Sequence, residues 1–296
     1  MHRILPALLL VLLPAAALGA RWGEPEVAGL VTHRALDEIS GLAASRKHPG
    51  HYWAINDSGR GAELQLMDDK GQHRASVPVV GAPNIDWEDL ASFEFEGRRY
   101  LLVADTGDNG GLRRDLVLHV LEEPGDLATP AKLAWSLRFR WPDGPRDCEA
   151  VAVDPRRGEV LLISKKRVPP ELFRIPLRPT GDRAVAEHIG DLAGIEQPDA
   201  SDLRRSPIYG RYRAQVTGAD LSPNGRVLAV LNYRSVHFIV RPRDGDWARA
   251  LGSKPSHLIL PWMPQAEAIA FAVDGRSLVI GSEQLPSPFL RYRVEP

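Results

Sequence analysis

Glu88, Glu149 and Glu267 each stand two residues ahead of an aliphatic residue that opens an apolar run. Aligned on that aliphatic residue, Ser40 and Ala219 take the same position in two further copies, with Asp89 and Asp220 one step on. Carboxylates gathered on one axis repel strongly where the dielectric is low, so a cation, bound protons or facing lysines and arginines must offset them. A hard divalent cation suits all-oxygen ligands, and Ca2+ is the ion expected. The alternative reading is that the same glutamates cap strand-start amides and face water. Loops further on carry more acids: Asp57 in Asn56-Asp57-Ser58-Gly59, and Asp105 and Asp108 in Asp105-Thr106-Gly107-Asp108-Asn109. The second has the oxygen density of a Ca2+ loop without EF-hand spacing. The expected metal ligands are therefore Glu88, Glu149, Glu267, Asp105, Asp108 and Asp57.

Positive charge falls in register with these acids. Lys165 and Lys166 follow one strand, Arg234 follows another, and Arg114 lies in the long loop after Asn109. These four are the expected anion-binding residues. Acid, metal and base together are what a phosphate-ester or anionic-sugar site needs, because the metal activates water and the cations hold phosphoryl oxygens. Salt bridges between loops would use the same residues. No Gly-x-Ser-x-Gly elbow, His-Glu-x-x-His pair or phosphate-cradling glycine loop occurs, so a serine hydrolase, zincin, kinase or dinucleotide enzyme is not expected. Trp53 and Trp87 flank acidic segments; core packing is their expected use.

The elements that position these residues form a repeat. Five copies begin at Glu38, Asp86, Asp147, Thr217 and Gln265, and each leads into a strand, a Gly-, Asn- or Pro-rich turn and further alternating strands. Four antiparallel strands per copy, arranged radially, make a propeller blade. The spacing predicts an all-β, five-bladed β-propeller over 20–296. The last copy lacks a fourth strand, and Glu26 to Thr32 is expected to supply it and close the ring. The stretch from Gly190 to Ala214 reads as a surface loop.

The chain has 296 residues, 44% of them hydrophobic, enough for a sizeable core. A net charge of −1 argues against a nucleic-acid binder, which needs a basic excess. Residues 1–19 read as a cleaved signal peptide, with an uncleaved anchor as the alternative, so a periplasmic or secreted monomer with no further membrane contact is expected. The one cysteine, Cys148, excludes an internal disulfide and reads as a small buried residue.

Asp86-Trp87-Glu88-Asp89-Leu90-Ala91, then Ala104-Asp105-Thr106-Gly107-Asp108-Asn109, Arg114 and Glu123-Pro124, resemble secreted bacterial propellers of the phytase-like (esterase-like) group, and more loosely the gluconolactonase-like propellers. The resemblance is sharp only in the second copy. It implies an extracytoplasmic propeller with a Ca2+-dependent central site, and it transfers no activity. The chain departs from true propeller phytases in blade number and in Ser40 and Ala219. Two functions stay open: a metal-dependent hydrolase of phosphate or other small esters, and a non-catalytic propeller that binds a periplasmic partner or a small anionic or sugar-like ligand.

Overall fold

The computed structural model describes residues 21–295 apart from positions 179 and 244; the expected signal peptide, 1–19, lies outside the described residues. The chain is a five-bladed β-propeller. From the centre outward, blade one is Ile39–Ala44, His51–Asn56, Glu63–Asp68 and His73–Val80. Blade two is Trp87–Phe95, Arg98–Asp105, Leu116–Glu122 and Ala131–Arg140. Blade three is Cys148–Asp154, Glu159–Ser164, Glu171–Pro176 and Glu187–Asp191, and blade four is Val216–Leu221, Val227–Asn232, Ser235–Val240 and Ser256–Ile259. Blade five is Ala266–Phe271, Ser277–Ser282 and Ser287–Arg293, completed by Glu26–Val31. The expected closure is thus the one observed. The five inner strands neighbour one another in a ring, blade five returning to blade one.

The core sits between blades. Each sheet is covered on both faces, so the inner and second strands are continuously apolar while their side chains still alternate in direction. In blade three Val160 and Leu162 pack toward blade two, whereas Leu161 and Ile163 pack toward blade four. In blade two Leu102 and Ala104 face blade three, and Leu101 and Val103 face blade one. Five such clusters, one per junction, hold the ring. Burying each large aliphatic side chain contributes about 1.5–3 kcal/mol. Trp53 and Trp87 belong to the blade one–two cluster, as expected of core residues, and their indole N–H groups donate to Glu123 Oε1 and the Pro83 carbonyl. Cys148 is buried, and burial pushes its thiol up to about 12, so it is unreactive packing.

Two details differ from the sequence reading, which puts the blade-three outer strand at Ala184 to Ile189 and a loop at Gly190 to Ala214. The blade-three outer strand is Glu187–Asp191, and the preceding Ala184–Val185 instead pairs in parallel with Phe139 and Arg140 of blade two. The stretch read as loop contains the helix Ala200–Arg205. Asp199 and Asp202 build a reciprocal capping box on it, satisfying amides that a six-residue helix cannot satisfy internally.

Candidate functional site

The inner strand of every blade carries a β-bulge at its first turn of chain. The bulged residues are Ser40, Glu88, Glu149, Thr217 and Glu267. A bulge inserts one residue into the ladder and re-aims its side chain, here toward the mouth of the central channel. Blade four thus contributes Thr217 to the ring in place of Ala219, which the aliphatic alignment expects there. Apolarity alone selects Leu221 as the aligning residue, but Ala219 fills that role, because Asp220 stands where the other blades have alanine.

The hydroxyl positions have a job. Ser40 Oγ donates to the carbonyl of Trp87 at 3.0 Å, Thr106 Oγ1 to that of Cys148 at 2.7 Å, and Thr217 Oγ1 to that of Ala266 at 2.7 Å. Each accepting residue immediately precedes one of the three glutamates. Every mouth glutamate is therefore held by a hydroxyl from the preceding blade.

All three glutamates are buried around Lys165, but only Glu88 and Glu149 join the acid groups; Glu267, also expected as a metal ligand, joins neither. One carboxylate oxygen from each of Glu88, Asp147 and Glu149 lies within 4.8 Å of the others, and Glu88 forms a second such group with Asp57 and Asp86. Burial raises Glu88 well above the usual carboxylate range, reinforced by Glu149 and Asp57. Burial lifts Glu149 to about 8, against the pull of Lys165. Burial also raises Asp57 and Asp86. Lys165 forms a close ion pair with Glu149; burial pulls its pKa down, but Glu149, Glu267 and Glu88 around it hold it above its ordinary value. Lys166 bonds to Asp147 at 2.9 Å and to the Asn109 side chain at 2.7 Å.

Next to Lys165, a hydrogen-bonded set surrounds Glu267. Tyr233 donates to Glu267 at 2.6 Å, and Gln265 donates to Glu283 at 2.6 Å. Burial and Glu267 lift Glu283 to about 9. A carboxyl with a folded pKa above its unfolded one keeps a proton that the unfolded chain releases, so its stabilising effect is complete below the unfolded pKa and is lost as pH rises through the folded one. For Glu283 that window runs from 4.5 to about 9. In chelator, thermal stability is expected to fall across this window. Glu283→Gln, which stays neutral, is expected to melt about 5 °C above the parent at the alkaline end and level with it at the acid end. Parallel pH profiles for the two proteins contradict this.

The remaining expected site residues lie as follows. The Asp105 carboxylate pairs with Arg113 at 2.7 Å, and Asp108 accepts the amides of Leu112 and Arg113, so both brace the blade-two loop beside the acid groups. Arg234 turns to Asp202 of the short helix at 3.1 Å, and Arg114 is exposed. Asp86, Asp147, Tyr233 and Glu283 were not among the expected site residues.

Beside the mouth opens a cleft of about 840 Å3, lined by Lys165, Lys166 and Tyr233, by the 205–215 segment and by the Trp262 loop. Fold and site together define a five-bladed propeller with a buried acidic cluster able to hold a metal ion. No family model matches the sequence. No curated protein matches it either. Among solved structures the chain is similar to a chain of "Crystal structure of Nidogen/Laminin Complex", with 12% identity and a TM-score of 0.44 over 82% of this chain and 72% of that one.

Proposed function

We propose that this chain is an exported, divalent-cation-dependent hydrolase of small anionic esters, phosphate esters first among them. One observation carries the reading: Asp57, Asp86 and Glu88 form a carboxylate group beside Lys165 and Lys166, while the ion pairs of the mouth go to Glu149, Asp147 and Asp105. The donor set fits a hard cation such as Ca2+, being all carboxylate oxygen without thiol or imidazole. The backbone also leaves room: a Cβ on Gly107 would collide with Glu88 Oε1 and Asp86 Oδ2.

Bound by these carboxylates, a cation would supply charge against the ester's oxygens and acidify a water. Lys166, partly exposed at the rim, and Lys165 below it bind the anion. Beside them Glu283 is held above the usual carboxylate range by burial and by Glu267, whose carboxylate accepts from Tyr233. The signal-like N-terminus supports an extracytoplasmic setting, in which the protein acts as a monomer in the periplasm or outside the cell.

A phosphoester panel assayed before chelation, after it, and after Ca2+ is returned tests the proposal. Turnover should be abolished by chelation and restored by Ca2+. Turnover indifferent to chelation contradicts the reading, and anion binding without any turnover makes the protein a binding propeller instead.

A further inference from the structure

The cleft beside the mouth is built rather than incidental. Its wall segment is fastened at two points: Asp202 of the short helix to Arg234 at 3.1 Å, and Arg213 Nη1 to the Tyr233 carbonyl at 3.2 Å. Gly210 packs so closely on the Asp202 carbonyl that a side chain there would collide with it. These ties present Tyr209 and Arg205 toward a space whose other wall carries Trp262. Trp262 is 77% exposed and Tyr209 69% exposed, an unusual state for two large rings facing one cleft.

The chemistry of the walls selects among ligands. Two of the side-chain amides lining the cleft are bonded to neighbouring side chains: Gln284 to Gln265 at 2.6 Å, and Gln265 to Glu283 at 2.6 Å. What the walls offer most openly are flat π faces and cations. Indole and phenol faces stack on planar rings, and guanidinium and ammonium groups hold phosphate.

We propose that the cleft binds a small ligand in which a planar aromatic ring is joined to a phosphate. The ring lies against Trp262 and Tyr209, and the phosphate reaches Arg205, Lys166 and Lys165. This names the substrate class of the hydrolase reading and rests on it.

The test is equilibrium binding to the mature chain, by calorimetry and tryptophan fluorescence, in chelator and in Ca2+. The probes are inorganic phosphate, ribose 5-phosphate and adenosine 5′-monophosphate. The aromatic phosphate is expected to bind about tenfold or more tighter than ribose 5-phosphate. Trp262→Ala should abolish that advantage and leave inorganic phosphate binding unchanged; its ring is exposed, so the fold is not at risk. Equal affinity for the two organic probes, or equal weakening of all three by Trp262→Ala, overturns the proposal. Ring preference is read from binding alone, so a protein that shows it without metal-dependent turnover contradicts the hydrolase reading and upholds this one.

Discussion

Asp89→Ala is expected to cost about 3–6 kcal/mol of stability, enough to unfold the protein at moderate temperature. The Asp89 carboxylate is fully buried and reaches out of blade two. Its Oδ2 accepts the backbone amides of Val151 in blade three at 2.8 Å and Ala219 in blade four at 3.2 Å, and its Oδ1 accepts Leu90 N at 2.8 Å. Removing it strands three buried donors, each costing about 1–3 kcal/mol. Asp89→Asn keeps one acceptor oxygen for the two distant amides and is expected to cost less, about 1–3 kcal/mol. Denaturant unfolding of both variants checks the order. Equal, sub-kilocalorie losses would show that these inter-blade bonds do not hold the ring.

Glu88→Gln is the other change with a large expected effect. Glu88 is the carboxylate shared by both acidic groups at the mouth, so neutralising it weakens each at once. Cation affinity is expected to drop about 100-fold. Ca2+ at 100 times its dissociation constant stabilises the parent by about 2.7 kcal/mol, so the parent should melt about 5–10 °C higher with Ca2+ than in chelator, and the variant should lose nearly all of that gain. Glu267→Gln serves as the comparison: its carboxylate accepts from Tyr233 and belongs to neither group. Ca2+ stabilisation equal in Glu88→Gln and the parent would remove the cation from the account.

Much of the architecture was legible because propeller sheets are buried on both faces. Runs such as Val160 to Ile163 are therefore continuously apolar and are separated by turn residues, which makes the five copies countable. The missing fourth strand of the last copy made Glu26 to Thr32 identifiable as the closing strand, and Glu26–Val31 fills that place. Glu88, Glu149 and Glu267 were legible as equivalents for the same reason. Asp86 and Asp147 recur at the first position of their copies, yet their role was not legible, because they precede the strands by a residue whose direction is set by the bulge and the turn before it. Thr217 was displaced to Ala219 because Asp220 breaks the blade-four pattern inside the channel, where it accepts the amides of Leu221 and Phe271. Tyr233 and Glu283 gain meaning only from proximity to Glu267, which joins loops of blades four and five. The helix at Ala200–Arg205 did leave a signal, the Asp199-x-x-Asp202 spacing, inside a stretch otherwise polar enough to pass for loop.

The reach of Asp89 from blade two to blade four has a consequence for traffic. A single short side chain spans that gap only because five blades leave a narrow axis, and its carboxylate sits there wholly shielded from solvent. The axis is consequently narrowed at Asp89, between blades two, three and four. On the hydrolase proposal, a product released at the acids would leave most readily through the opening by which its substrate came.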